Sequence, residues 1–331
     1  MIVLGIETSC DDTSAALFDG NSLLSNIIST QLIHQRFGGV VPELASRSHI
    51  QLVFPVVREA LDQAGILQNN IEGIAVTYGP GLVGSLLVGL SVAKGMALSM
   101  GIPFIGVNHL EGHLWANRLA YPDITPPFVA LIASGGHTQL VFVEKWGLYR
   151  VLGRTRDDAA GEAFDKVAKL LNIGYPGGPP IEKLAQKGNP EYIHFPRAFL
   201  EENSLDFSFS GVKTAVLNHV KSIGPEETEK HLADIAASFQ KAVIDVLVEK
   251  TITAARELGV YSICLSGGVA VNKALQEDMK QKGSRENIKI YCPPPQLCTD
   301  NGGMIAAAGY YYLHNGVTSP LNLSPAPSLN F

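Results

Sequence analysis

Ile2-Val3-Leu4-Gly5-Ile6-Glu7, Thr8-Ser9-Cys10-Asp11-Asp12-Thr13, Ser14-Ala15-Ala16-Leu17-Phe18-Asp19 reads as an apolar strand, a turn of small and polar residues, and a second strand. Residues 23–28 supply a third strand. The same grammar returns further on. Strands at 128–133, 139–144 and 148–152 follow each other closely, and the first turn is Ser134-Gly135-Gly136-His137-Thr138. Strands alternate with helices elsewhere, so the repeat predicts a duplicated α/β fold with a cleft between its halves. Turns of small residues leave backbone N–H groups able to point at an anion. Taken singly, each turn is equally an ordinary hairpin. Leu265-Ser266-Gly267-Gly268-Val269 is a third such turn, after a strand and before a helix. Its place suits contact with an adenosine or ribose. The three together favour phosphate binding.

Between the two strand sets come a helix over 43–64, a strand at 74–78, a break at Pro80-Gly81, a helix over 83–100 and a strand at 104–107. After them come short helices at 160–171 and 180–187 and a long helix over 233–258. Its Ile235, Phe239, Val243, Val246 and Leu247 form a core-facing stripe. A strand at 263–266, a helix containing Asn272 and a last helix over 300–314 complete the pattern. The Pro- and Ser-rich tail, 320–331, is expected to be loose.

The 331 residues, 46% apolar and 17% charged, make a globular chain of about two domains. Four scattered cysteines exclude a disulfide framework, and no Cys-x-x-Cys is present. The first residues lack the basic start of a signal peptide. The longest apolar run, 82–93, is shorter than the roughly twenty residues of a membrane span, so a buried helix is expected. These features point to a soluble cytoplasmic protein with no membrane partner. A net charge of −6 argues against a dedicated nucleic-acid module, although not against an enzyme with a local basic patch.

His109-Leu110-Glu111-Gly112-His113 puts two imidazoles at i and i+4, on one face of a helix, where both can reach one metal ion. Glu111 is misplaced for a thermolysin-type HExxH motif. Asp300, ahead of Asn301-Gly302-Gly303, is the best third ligand. Two histidines and a carboxylate leave positions open for water or substrate. Glu7 ends the first strand, and Asp11 and Asp12 follow in the turn. Carboxylates there either hold magnesium or position a nucleophile, or simply cap the turn. Asp157, Asp158, Glu162 and Asp165 crowd one stretch, whose plainest reading is a solvated helix face. Pro176-Gly177-Gly178-Pro179-Pro180 lets backbone approach a ligand closely.

Seven stretches together resemble the TsaD family of tRNA threonylcarbamoyladenosine transferases. They are Gly5 to Ser14, Val41-Pro42-Glu43-Leu44-Ala45-Ser46-Arg47, Val107 to His113, Ser134 to Thr138, Asp157 to Lys166, Phe207-Ser208-Phe209-Ser210-Gly211 and Cys298-Thr299-Asp300-Asn301. They run the length of the chain in family order. The resemblance implies the two-lobed actin-like fold of sugar kinases, Hsp70 and actin. Residues 1–108 plus about 305–331 would form the N-terminal lobe, and 109–304 a C-terminal lobe with helical insertions. It implies one divalent metal, iron or else zinc, on His109, His113 and Asp300. It implies that Ser134, Gly135, Gly136, Asp165, Gly178 and Asn272 contact the threonylcarbamoyl-adenylate or a nucleotide such as ATP or ADP with magnesium. Ile132 and Ala133 extend that contact, and Glu182 falls where some relatives carry an aspartate. Gly267 and Gly268 belong with the same set. Val271 and Gly303 depart from the family's usual smaller residue and alanine, and neither removes a polar group.

The implied reaction moves a threonylcarbamoyl group from its adenylate to N6 of adenosine 37 in tRNAs reading ANN codons. Asp11, with Glu7 beside it, is the nearest candidate for a general base or an amine-positioning group. Arg150, Arg154 and Arg156 form a basic group that faces tRNA or is a solvated strand edge. The implied partners are TsaB and TsaE, with a TsaC-type synthase supplying the adenylate, and TsaB is expected on the 46–64 helix. An ATP-dependent small-molecule kinase and a non-catalytic actin-like scaffold are the competing readings. A kinase has no need of the histidine pair, and scaffold paralogues lack the ligands.

Overall fold

A computed structural model of the chain describes residues 1–199 and 204–331. The described residues form two compact units, Met1–Ile124 with Thr299–Phe331, and Thr125–Cys298. The chain begins in the first unit with strands β1 (Val3–Glu7), β2 (Asp12–Phe18) and β3 (Leu23–Thr30), then α1 (Pro42–Ala64), β4 (Gly73–Gly79), α2 (Val83–Met100), β5 (Phe104–Asn108) and α3 (His109–Ala120). In the second unit come β6 (Phe128–Ala133), β7 (Thr138–Lys145), β8 (Leu148–Arg154), α4 (Ala160–Leu170), α5 (Gly178–Ala185), α6 (Ser210–Lys230) and α7 (Leu232–Leu258). That unit ends with β9 (Ser262–Ser266), α8 (Lys273–Arg285), β10 (Lys289–Tyr291) and the single turn α9 (Pro295–Cys298). The chain then returns to the first unit as α10 (Gly302–His314).

The first sheet has the order β3-β2-β1-β4-β5, and the second β10-β9-β6-β7-β8. Read from the hairpin edge, the two orders are the same. In each, the first three strands pair antiparallel and the last two join parallel. The duplication expected from the two strand sets is therefore present in the hydrogen bonding. Central strands β1 and β6 are buried along their whole length, as strands covered on both faces must be.

The expected boundaries were 108/109 and about 304/305. The compact units instead part after Ile124 and Cys298. The reason is packing: α3 lies against α10, so both histidines stay with the first unit.

Helix α10 lies directly on β1 and β2. A Cβ on Gly5 would stand 2.3 Å from the Gly302 carbonyl oxygen, and one on Gly302 2.7 Å from Ala15 backbone. Only two glycines allow that approach. The Gly302 N–H donates to Ser14 Oγ at 2.7 Å, pinning the helix start and, with it, Asp300. Gly303, where the family commonly has alanine, gives room to Leu23, whose Cδ1 would be 3.0 Å from a Cβ.

Four expectations change. The tail is not loose along 319–330. The Ala326 N–H donates to the Tyr78 carbonyl at 2.7 Å, and the Gly81 N–H to the Pro327 carbonyl at 3.2 Å. Lys94 Nζ also bonds the Leu323 carbonyl. Helix α2 is only half interior. Leu86, Leu90 and Ala93 are buried, while Val83, Leu87 and Leu98 are exposed. Among the described residues it is the one helix long and apolar enough to cross a membrane, and it packs on β4 and α1. Asn272 precedes α8 as its cap, with Oδ1 accepting from the Leu275 N–H at 3.0 Å. Finally, α6 was not anticipated; its apolar pattern is broken at Gly224-Pro225, where Gly224 has φ 80.

Candidate metal centre and glycine turns

Strand β5 ends at Asn108, whose side chain accepts from the Leu110 N–H at 2.9 Å and caps α3. His109 is thus the first helical residue, and His113 lies one turn on, on the same face. Both are buried, with ring centroids 4.8 Å apart. Asp300 precedes Asn301, which caps α10 by accepting from the Met304 N–H. Asp300 Oδ1 stands 3.5 Å from His109 Nε2 and 3.3 Å from His113 Nε2. The three ligand atoms all lie within 4.8 Å of one another. Donors about 2.1 Å from one ion stand roughly 3.0–3.4 Å apart, close to both Asp300 separations, and two imidazoles with a carboxylate are a donor set that suits a divalent metal.

Glu7 supplies the orientation. It is fully buried at the end of β1. Its Oε2 lies 3.0 Å from His109 Nδ1 and accepts from Thr77 Oγ1 at 2.5 Å, while Oε1 accepts from the Ser9 N–H at 2.5 Å. An ionised carboxylate only accepts, so Nδ1 carries the proton and Nε2 is turned toward Asp300. Burial pushes the Glu7 pKa up, but the His109 charge and hydrogen bond outweigh it and hold the group below its ordinary value. Burial pulls His109 down, yet Asp300 and then Glu7 raise it to about 9. Glu111 points away from this set: its Oε1 accepts from Tyr312 Oη at 2.7 Å on α10. The expected failure of the protease geometry is borne out.

Asp11 lies half-buried in the turn, and Asp12 opens β2. Burial, followed by the Asp300 charge, pushes Asp12 up to about 7. Thr77 was not anticipated. A threonine near a strand end carries no signal until the strand beside it is known.

The second unit assembles the remaining residues. The Ser134 N–H donates to the His137 carbonyl at 2.8 Å, closing the turn, and the Gly161 N–H at the start of α4 donates to the Ser134 carbonyl at 3.1 Å. Ile132 and Ala133 have their side chains buried in β6, which leaves only backbone at this edge. Gly267, at φ 88, lies over Ala133; a Cβ there would meet the Ala133 carbonyl oxygen at 2.3 Å. Asp165 Oδ1 accepts from the Gly177 N–H at 2.6 Å. Glu182 Oε1 accepts from the Lys273 N–H at 2.8 Å and so holds the first turn of α8. Asn272 Nδ2 donates to Gln240 Oε1 at 2.8 Å. Gly135, Gly136, Gly178 and Gly268 have neither a positive φ nor any atom within 4 Å of a would-be Cβ. Neither packing nor backbone conformation requires glycine at these four positions.

Two readings of charged clusters change. The carboxylates of 157–165 are more than a solvated face. Asp157 Oδ1 accepts from the Phe209 and Ser210 N–H groups at 2.8 and 3.2 Å, and Asp158 pairs with Lys166 and Lys213. They clamp α4 and α6 together. The three arginines are not one patch either. Arg150 stands opposite Phe142 and Arg154 opposite Gln139 across a bulge, so they lie on opposite faces of the sheet. Arg156 pairs with Asp206 at 2.9 Å.

The family model described as tRNA N6-adenosine threonylcarbamoyltransferase matches residues 22–307. A protein of that name from Clostridioides difficile is 53% identical over 99% of this chain and 98% of its own. Another, from Clostridium perfringens, is 52% identical over 99% and 97%. Among solved structures, HypF from T. kodakarensis aligns at 17% identity and TM-score 0.63, covering 96% of this chain and 48% of its own. Component A of the Acidaminococcus fermentans (R)-2-hydroxyglutaryl-CoA dehydratase aligns at 15% and TM-score 0.57, covering 94% and 98%. These last two likenesses show the actin-like α/β fold alone. The relatives favour neither the kinase nor the scaffold reading, and the chain belongs to the TsaD family, the tRNA N6-adenosine threonylcarbamoyltransferases.

Proposed function

We propose that the protein transfers the threonylcarbamoyl group from threonylcarbamoyl-adenylate to N6 of adenosine 37 in tRNAs reading ANN codons. The observation that carries this reading is the convergence of His109, His113 and Asp300, oriented by Glu7, in a member of a transferase family. N6 attacks the carbamoyl carbon and a C–N bond forms. The C–O bond to phosphate breaks, its electron pair leaves with AMP, and N6 gives up one proton. The adenine must be unstacked for this, at a cost of a few kcal/mol.

His109 Nε2, His113 Nε2 and Asp300 Oδ1 would hold the metal, iron first and zinc second for this donor set. Bound there, it would supply Lewis-acid polarisation or a template for the donor. Asp11 stands as the group that positions the amine or takes its proton. Asp12, next along the same turn, is a second candidate for the same role. In the second unit, the N–H groups around Gly135, Gly136 and Gly268 are the candidates for holding phosphate and the threonine carboxylate. The open space over Gly178 supports a close approach by nucleotide. Ser134, Asp165, Glu182, Gly267 and Asn272 shape that surface through the bonds described above.

TsaB and TsaE are the proposed partners, a TsaC-type synthase the source of adenylate, and the cytoplasm the location. For TsaB the surface is apolar. Ile50 and Phe54 on α1 and Val83 and Leu87 on α2 are all more than half exposed, and these two helices pack together.

A transfer assay with the partners, threonylcarbamoyl-adenylate and unmodified tRNA tests the reading, comparing wild type with His109→Ala. Modified adenosine from wild type alone is the expected result. Equal modification by both would make the metal set incidental, and product from neither, with competent partners, would overturn the transferase reading.

A further inference from the structure

A buried polar network lies behind the turn of residues 8–13, and the proposed chemistry does not use it. His49 on α1 is fully buried. Its Nε2 lies 2.9 Å from the Cys10 carbonyl oxygen and its Nδ1 2.8 Å from Thr13 Oγ1. A carbonyl only accepts, so Nε2 carries the proton, Nδ1 is the acceptor, and the Thr13 hydroxyl donates to it. Burial holds the ring below its ordinary pKa, consistent with this neutral tautomer. Ser85 Oγ adds a second donor to the Cys10 carbonyl at 3.4 Å. Next along the chain, the Asp11 carbonyl accepts from the Gln31 N–H at 3.1 Å. Gln31 is held in turn, with Oε1 accepting from His34 Nε2 at 3.0 Å.

The Cys10–Asp11 peptide is trans, since the cis bonds among the described residues are all at proline. In a trans peptide the N–H points opposite to the C=O. A donor that pulls the Cys10 carbonyl into the interior therefore turns the Asp11 N–H outward, to the open side of the turn. That turn also touches the metal set, with Ser9 Oγ 3.2 Å from His109 Nδ1.

We propose that His49 is a positioning residue of the first turn. Its Nε2–H fixes the Cys10–Asp11 peptide so that the Asp11 N–H is presented to the phosphate of the adenylate. The role rests on the reading of residues 8–13 as a phosphate-facing turn. It needs a donor at the Nε2 position, not an imidazole as such, and no change of charge.

The test uses the full chain, with AMP as the probe. Affinity is read by calorimetry, and the Asp11 amide is followed by ¹⁵N NMR as AMP is added. His49→Leu removes the donor. His49→Gln returns an N–H of similar reach. Thr13→Val removes the partner that fixes the tautomer. Wild type is expected to bind AMP with a shift of the Asp11 amide. His49→Leu should bind about tenfold more weakly with that shift lost, and Thr13→Val should fall between. His49→Gln should return to within about threefold of wild type. Wild-type affinity in a folded His49→Leu overturns the positioning role and leaves the transferase reading standing. Equal loss in the Leu and Gln variants, both melting near wild type, also overturns it, because packing and not the donor would then matter. Wild type that binds no AMP overturns the phosphate reading of the turn and this role with it.

Discussion

Glu7 Oε2 and His109 Nδ1 lie 3.0 Å apart across 102 positions of sequence, both fully or almost fully buried. One is the last residue of β1 and the other the first of α3. The contact makes Glu7 a group that orients His109. Glu7→Gln should leave the fold near wild type but lower metal affinity by about 10- to 100-fold, because the amide no longer fixes the His109 tautomer. Metal titration of the purified variant checks this without reference to turnover.

The same pair sets a pH dependence. His109 is raised from 6.5 to about 9 in the metal-free protein by Asp300 and Glu7. A raised pKa stabilises the fold fully below 6.5, and that contribution is lost as pH rises through about 9. Chelator-treated protein should therefore melt progressively lower between those two values. Metal affinity should run the other way, rising with pH as the proton on His109 becomes easier to displace. Melting curves and metal titrations at a series of pH values check both signs.

The open glycines can be separated from the structural ones. Gly178→Ala and Gly268→Ala place a Cβ where no atom lies within 4 Å, so stability should change by no more than about 0.5 kcal/mol. Adenylate affinity should fall by about tenfold if backbone approaches ligand there. Gly161→Ala is the contrast. Its Cβ would stand 2.5 Å from the Ser134 carbonyl oxygen, and it should destabilise the protein by about 1–3 kcal/mol. Thermal melts beside calorimetry with AMP distinguish the two classes.

Removing residues 323–331 deletes the bonds from Ala326 to Tyr78 and from Gly81 to Pro327. At about 1 kcal/mol each, the melting temperature should drop by roughly 4–8 °C. A truncated protein that melts with wild type would show that the tail adds nothing to the first unit.

Phe54→Glu puts a charge on the apolar surface formed by α1 and α2, at a residue 60% exposed. The protein should fold as before and, if TsaB docks here as proposed, bind it at least about tenfold more weakly than wild type. Unchanged binding would move the partner surface elsewhere.

Much of the architecture follows from local pattern. Three close strands, their small-residue turn and the recurrence at 128–152 are set by short apolar runs and turn chemistry between near neighbours, and the two sheets show the same order. The spacing of His109 and His113 is equally local, since one helical turn brings them to one face. What the side chains are committed to was not legible. Asp157 reads as solvated and in fact caps α6; Asn272 reads as helical and in fact starts α8. The tail, rich in proline and serine, reads as loose and in fact bonds to Tyr78 and Gly81.

The sequence by itself determined the duplicated fold, the histidine pair and the small-residue turns, because each depends on residues a few positions apart. Only the tertiary structure decided that Glu7, Thr77, His109 and Asp300 meet, that Glu111 turns to Tyr312, and that His49 reaches the Cys10 carbonyl. Those contacts join segments far apart in the chain. Their partners are chosen by which donors and acceptors burial leaves to be satisfied, and no local period records that choice.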